Sequence, residues 1–201
     1  MAIEKFVPFG LANITLTDDE GNAIKFDGKM GEEHSYLQVE GGSIEFEPEL
    51  EEIVFADYGA SPQDHRTTGY NVTATIVAGQ ETVELLQLAL AGTETIKSDG
   101  VVTGVADGRL GASNRARGRR MNIHPRFLPA DQKENDYTLY KVASTGSYTR
   151  EFGNEQGQLE IELTAYPRDN ADASSYGNFF YSGAVDPHAG ETAPDAGAGT
   201  P

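Results

Sequence analysis

This chain contains no cysteine and no tryptophan, and its 15 lysines and arginines are outnumbered by 32 aspartates and glutamates. The lack of cysteine excludes a disulfide framework, a thiolate metal site and a cysteine nucleophile. The net charge of −17 opposes specific binding to nucleic acid, because proteins that bind it neutralise phosphates with lysine and arginine. This charge does not exclude a surface past which DNA slides without adhering.

Long apolar runs are absent as well. No stretch approaches the roughly 20 residues that a membrane-spanning helix needs. The segment Met1–Gly10 lacks the basic region and the apolar run of a signal peptide. We therefore expect a soluble protein, made in the cytoplasm, that does not insert directly into a membrane.

Short β-like runs separated by glycines make up most of the chain. Hydrophobic residues account for 38% of it and glycines number 23, which is typical of an all-β chain rich in turns. Alternation and turn signals predict strands at 11–17, 23–27, 34–40, 43–56, 70–77, 116–123, 138–144, 147–152, 158–166 and 176–181. We expect Gly41-Gly42 to form a tight hairpin turn with positive φ angles, and 57–69 to form a polar loop.

One helix is predicted, over 81–91, with Val83, Leu86 and Leu90 on one face and Gly92 as its C-terminal cap. Residues 93–111 are glycine-rich and receive no assignment. Residues 184–201 hold too few bulky apolar side chains to offset the entropy of ordering them. The sequence thus predicts one β domain over 1–183, followed by a disordered tail.

The strand predicted over 43–56 sorts its side chains into two rows, because successive side chains point to opposite faces. The apolar row is suited to packing on a core and comprises Ile44, Phe46 and Leu50. The other row, here called the glutamate ladder, comprises Glu45, Glu47, Glu49 and Glu51, repeating every roughly 6.8 Å. Pro48 has no backbone N–H to donate to a neighbouring strand, which places it at a bulge, an edge or an unpaired position.

Three interpretations of the glutamate ladder are open. It could be a solvated outer face, the lining of a water-filled barrel, or a cation site. A divalent cation would need carboxylates converging from several loops, which argues against the last. The strand at 158–166 repeats the alternation, with Glu160 and Glu162 on its polar face.

The only dense basic segment contains Arg115, Arg117, Arg119 and Arg120. It is either a solvated strand face or a contact between subunits, where it would complement the glutamate ladder. The four histidines are scattered without metal-ligand spacing, and no nucleophile elbow, phosphate loop or dinucleotide fingerprint is present. We therefore expect neither an enzyme nor a metal or cofactor site.

The order of these elements resembles the major tail protein, or tail tube protein, of long-tailed bacteriophages. The first segment that carries the resemblance is the acidic strand 43–56 with the loop residues Asp57, Gly59, Pro62, Asp64 and Gly69, the strand 70–77 and the leucine-rich helix. The second comprises Asn122-Ile-His-Pro125, Tyr140-Lys-Val-Ala143 and the strand 159–167. The resemblance covers roughly 10–183 and rests on order and spacing.

The resemblance implies a β-sandwich or barrel-like subunit with one flanking α-helix. In this family six copies form a ring, long hairpins close an inner β-barrel around a channel, and rings stack into a tube that delivers the genome. The partners it implies are other copies of the chain, a tape measure protein and tail terminator proteins, with viral DNA passing without sequence-specific binding. The location it implies is the virion tail, assembled in the host cytoplasm.

The resemblance also implies roles for particular residues. The glutamate ladder, with Glu160 and Glu162, would face the channel, where an acidic wall would repel phosphate. Contacts between subunits or rings would involve the Gly41-Gly42 hairpin tip, Asp57, Gly59, Pro62, Asp64, Arg115, Arg117, Arg119 and Arg120. Two other classes stay open: a virion-decoration or carbohydrate-binding β-sandwich module, and a β-barrel hydrolase with paired carboxylates.

Overall fold

The computed structural model describes residues 10–150 and 157–190, and this part of the chain is mainly β with one α-helix. The strands are β1 (Ala12–Thr17), β2 (Ala23–Phe26), β3 (Ser43–Ile53), β4 (Asp64–Ala78), β5 (Thr93–Ser98), β6 (Val101–Asp107), β7 (Arg119–Pro125), β8 (Tyr137–Ser144), β9 (Leu159–Tyr166) and β10 (Phe180–Ser182). The helix α1 spans Val83–Ala89, and single 3-10 turns lie at Ala56–Tyr58 and Arg115–Arg117. The mainly β fold with one helix is therefore confirmed. Within the described residues no helix has the length and apolar character needed to cross a membrane.

The main sheet is antiparallel throughout, in the order β2-β1-β7-β8-β9-β4-β3, with β10 paired to β8. The segment 34–39 connects β2, at one end of this order, with β4, the strand next to the other end, since Tyr36 N donates to Lys25 O on β2 and Val39 N donates to Val77 O on β4. The β5–β6 hairpin forms a separate two-stranded sheet.

The core lies on one face of the main sheet, where β1, β2, β4, β7, β8 and β9 all contribute buried aliphatic side chains. In β4 and β9 the alternation is strict, with Val72, Ala74 and Ile76 buried on β4 and Leu159, Ile161 and Leu163 buried on β9. The helix α1 packs on the same cluster. The opposite faces of β4 and β9 are therefore left outside the core.

The helix exists but is shorter than predicted, and it buries a different face. Thr82 is its N-cap, accepting a hydrogen bond from Leu85 N at 3.2 Å through its side-chain oxygen. The buried residues are Leu85, Leu88 and Ala89, whereas Val83, Leu86 and Leu90 are half-buried. Gly92 follows the helix with φ +66°, a left-handed conformation suited to glycine.

Several boundary predictions were wrong. Residues 34–40 form no strand but only isolated bridges, and neither Gly41 nor Gly42 has a positive φ angle. Glycine is needed at Gly42 for another reason: an added Cβ would lie 2.3 Å from the carbonyl oxygen of Thr75. Strand β3 instead forms its hairpin with β4, so 64–69 is strand rather than loop. Residues 147–150 are not strand, and 151–152 lie outside the described residues.

The first residues of the predicted tail contact the sheet. Asp186 forms a salt bridge with Arg120 and accepts a hydrogen bond from the Tyr140 hydroxyl at 2.9 Å. The His188 ring packs edge-on against Tyr140, with ring centroids 5.5 Å apart. Residues 184–190 are therefore tied to the sheet, and the rest of the predicted tail, 191–201, lies outside the described residues.

Candidate functional site

The β3–β4 hairpin extends beyond the core that anchors it. Burial in β4 alternates only from Val72 onwards, and 64–71 on β4 are exposed or half-buried without alternation. Its partner β3 contains no buried residue, and its only half-buried residues are Ile44 and Ile53. The free part, about seven residues long on each strand, would reach roughly 25 Å. Beyond its base, this two-stranded extension has both faces uncovered by the residues that the structure describes.

The glutamate ladder occupies one face of this hairpin. Glu45, Glu47 and Glu49 lie opposite Thr73, Asn71 and Gly69 on β4. The Glu49 side chain lies over Gly69, where an added Cβ would come within 2.9 Å of its Oε2 atom. A register shift follows between Glu49 and Leu50, beyond which Glu51 faces Arg66. All four glutamates are exposed.

Glu160 and Glu162 belong to the same face of the sheet. Glu162 pairs with Thr75 and Glu160 with Val77, while Thr75 pairs with Ser43 on β3. Directly opposed residues in an antiparallel pair point to the same side, so these positions continue the row that includes Glu45 and Thr73. Both glutamates are exposed. The six carboxylates named from sequence therefore share one outer face, opposite the core.

The opposite face of the hairpin is apolar, and it is largely exposed rather than packed on the core as the sequence predicted. Leu50 is 54% exposed and Phe46 is 36% exposed. Near the body, β10 supports the hairpin: the ring centroids of Phe46 and Phe180 lie 4.6 Å apart, and those of Tyr70 and Phe180 lie 5.9 Å apart. Beyond this aromatic base nothing in the described chain covers the apolar face.

The hairpin tip, residues 54–63, carries further exposed apolar side chains. Val54, Phe55 and Tyr58 are 46%, 55% and 71% exposed. The predicted contact residues Asp57, Gly59 and Pro62 lie in this exposed tip, and Asp64 is the first residue of β4. Pro48 lies within β3, the terminal strand of the sheet, which confirms the edge position.

The four arginines of the basic run all contact their own chain. Arg115 pairs with Asp169 at 2.5 Å, Arg119 with Asp18 at 3.4 Å, and Arg120 with Asp186. Arg117 donates to the carbonyls of Gln87 at 2.6 Å and Leu90 at 3.2 Å, and so caps the C-terminus of α1. These contacts give the run a structural role, and a role between subunits stays a prediction.

The Asp169 carboxylate connects two of these elements. It accepts from Arg115 on one oxygen and from the buried Lys141 ammonium at 2.5 Å on the other. Burial alone would raise the pKa of Asp169, but the hydrogen bonds from Lys141 and Arg115 hold it below its usual range. The network holds the turn after β9 against β8.

The segment 34–36 is tied to α1 by a second polar group. The Tyr36 hydroxyl donates to Glu84 at 2.6 Å, and burial with this hydrogen bond raises the pKa of Tyr36 to about 12. The His34 Nδ1 atom lies 3.0 Å from Glu84, and the hydrogen bond to this carboxylate raises the pKa of His34. Among the described residues no group of three or more acidic or histidine side chains is arranged to hold a metal ion.

Sequence reasoning found the acidic face but missed the exposure of the apolar face and its aromatic base. The sequence shows the aromatic residues Phe46, Tyr70 and Phe180, but its periodicity does not reveal that their rings pack together. Compared with known proteins, the chain matches no family model and no curated protein. The geometry of the β3–β4 hairpin therefore carries the functional argument.

Proposed function

We propose that this protein is a structural subunit of a phage tail tube, in which six copies form a ring and rings stack into a channel for genome delivery. The observation that carries the proposal is the β3–β4 hairpin, which extends from the core with an acidic face and an apolar face, both exposed. An isolated two-stranded hairpin is marginally stable in water, so such an extension gains stability from another surface.

A second copy of the chain suits that surface. Strand β3 is the terminal strand of the sheet, and its outer edge has no strand partner among the described residues. Exposed strand edges favour pairing with another chain, and closed rotational symmetry removes every edge at once. In the proposed ring, neighbouring hairpins pair edge to edge. The ring also covers the apolar side chains that are exposed in the single chain, among them Leu50 and Phe55.

The acidic face then lines the channel. Six carboxylates per subunit lie on one face of the sheet and are exposed. A wall of this sign repels the phosphates of DNA, which prevents adhesion while the genome passes. The partners of such a tube are a tape measure protein and tail terminator proteins, and its location is the virion.

Assembly of matched variants tests the proposal. Leu50→Asp places a charge on the apolar face of the hairpin, whereas Leu110→Asp makes the same change at a fully exposed site outside the strands. We expect the wild type and Leu110→Asp to form rings or hollow tubes in negative-stain electron microscopy. Leu50→Asp should remain a folded monomer by circular dichroism and sedimentation. A wild type that stays monomeric, or Leu50→Asp tubes indistinguishable from wild type, would contradict the proposal.

The alternative of a virion-decoration or carbohydrate-binding module receives less support. Such a module presents exposed aromatic faces for stacking on sugars. Here Phe46, Tyr70 and Phe180 pack against one another at the hairpin base, although Tyr176 is 79% exposed. A stable monomer that binds glycans would favour this alternative.

A further inference from the structure

An apolar groove lies beside the base of β3, at the opposite end of the hairpin from its tip. Its volume is about 360 Å³, within the roughly 300–1,000 Å³ typical of ligand sites. None of the described residues that line it is charged, in a chain with a net charge of −17. Its apolar lining includes Leu11, Ile44, Phe46, Ile123, Phe127 and Tyr137. The groove therefore fits an apolar occupant and disfavours a charged one.

The groove is continuous with the exposed apolar face of the β3–β4 hairpin. Ile44 and Phe46 belong to that face, and both also line the groove. Phe46 and Tyr137 are 36% and 37% exposed, with ring centroids 6.0 Å apart, and Phe127 is 46% exposed. An occupant that covers these side chains removes apolar surface from water, which favours its binding.

The hairpin tip, residues 54–63, offers matching chemistry. All ten residues are exposed, and Asp57 is the only charged one among them. Phe55 and Tyr58 supply two aromatic side chains that are 55% and 71% exposed. Aromatic side chains that fill a pocket on the partner are typical anchors of protein interfaces. The tip therefore suits an uncharged groove.

A hairpin tip cannot reach the groove of its own chain. Strand β3 runs from Ser43, on the rim of the groove, to Ile53, next to the tip. Its ten residue steps span roughly 33 Å. A tip that enters the groove therefore belongs to another copy. Two copies of net charge −17 repel each other, which favours contact where both surfaces carry the least charge.

We propose that this groove receives the hairpin tip of a second copy, with Phe55 and Tyr58 as the anchors. The contact joins two different surfaces of the chain, head to tail, so it repeats from copy to copy. This inference deepens the proposed function, because it names the surface that receives the hairpin tip. It rests on the self-association that the proposed function requires, and not on a six-membered ring or a channel.

Crosslinking with introduced thiols tests the inference, because the native chain has no cysteine to interfere. Ser61→Cys places a thiol on the exposed tip, and Ser43→Cys places one on the exposed rim of the groove. When the two variants are mixed and treated with a short bis-maleimide, we expect a heterodimer whose crosslinked peptides contain positions 43 and 61. A chain with both thiols should be joined to neighbouring chains, because the length of β3 prevents closure within one chain.

Blocking the groove should slow this crosslinking. An added Cβ at Gly41 would meet only the Leu11 side chain, at 3.7 Å, and both residues line the groove. Gly41→Phe in the Ser43→Cys partner should therefore fill the groove. We expect heterodimers to form about tenfold more slowly, since burying one phenylalanine changes an equilibrium by at least that factor. Gly41→Ala leaves the groove open and should retain most of the rate, and a mono-maleimide controls for the reactivity of the thiol.

Changing the tip should have the same effect without altering the groove. Phe55→Ser with Tyr58→Ser in the Ser61→Cys partner should slow crosslinking about tenfold or more, for the same reason. Phe55→Leu with Tyr58→Phe should retain most of the rate. Both positions are exposed, so these variants should fold, and they decide the test if circular dichroism shows that Gly41→Phe is unfolded.

Absence of the heterodimer would overturn the inference, as would an unchanged rate in the serine variants or in a folded Gly41→Phe variant. Tubes that assemble without this crosslink would overturn the inference and leave the proposed function intact. Heterodimers from a protein that forms neither rings nor tubes would support the inference and contradict the proposed function.

Discussion

Replacing Arg117 with alanine should destabilise the folded subunit by about 2–3 kcal/mol. The guanidinium donates to Gln87 O at 2.6 Å, to Leu90 O at 3.2 Å and to Thr93 Oγ1 at 3.3 Å. Hydrogen bonds that involve a charged group contribute about 1.5–3 kcal/mol each, and a cation at a helix C-terminus adds about 0.3–1 kcal/mol. The sum is discounted because water can reach the freed helix carbonyls and the three bonds are not independent.

Urea unfolding followed by circular dichroism measures the effect, with Arg119→Ala as the matched control. Arg119 makes one salt bridge to Asp18 at 3.4 Å and one long hydrogen bond to Asn22 O at 3.3 Å, so its removal should cost less, about 1 kcal/mol. If Arg117→Ala loses less than Arg119→Ala, the capping role is wrong.

The remaining predictions concern backbone packing and pH. Gly42→Ala should lower the free energy of unfolding in urea by about 1–3 kcal/mol, because the added Cβ would lie 2.3 Å from a β4 carbonyl oxygen. Gly41→Ala should lower it far less, because its Cβ meets only a side chain at 3.7 Å. Equal losses of stability in the two variants would refute the argument. The pKa of Asp169 is lowered in the folded state, so the ionised carboxylate stabilises the fold above pH 3.8, and this stabilisation is lost as pH falls through the folded pKa. Asp169→Asn should therefore flatten the dependence of unfolding free energy on pH in this acidic range. An unaltered slope would contradict the prediction. NMR titration should place the pKa of His34 above 6.5, and Glu84→Gln should bring it back; a midpoint at or below 6.5 in the wild type would rule out the pairing.

The strands that alternate over a buried face could be predicted from the sequence. β1, β2 and β9 lie within a residue of their predicted bounds, because one face of each is buried and fixes the apolar period. The prediction failed at 34–40, where the alternation is similar but the backbone hydrogen bonds connect β2 with β4 instead of continuing a ladder. Local pattern does not distinguish these two uses of an extended segment.

In the candidate site, too, the local pattern predicted some features, whereas others depend on tertiary structure. Periodicity placed the glutamates on one face of β3, and the register with β4 and β9 brings Glu160 and Glu162 onto that face. The exposure of Leu50 could not be predicted, because it depends on how far the hairpin extends past the core. The acidic partners of the arginines, which are Asp18, Asp169 and Asp186, lie more than 50 residues away in sequence.

The glutamate ladder is the surface on which the proposed function depends most. A cryo-electron microscopy map of the assembled particle would show directly where this face points. We predict a six-membered ring in which Glu45, Glu47 and Glu49 of every copy face a central channel, with Glu160 and Glu162 continuing the same wall. A tube with these carboxylates on its outer surface, or a protein that never assembles, would contradict the account.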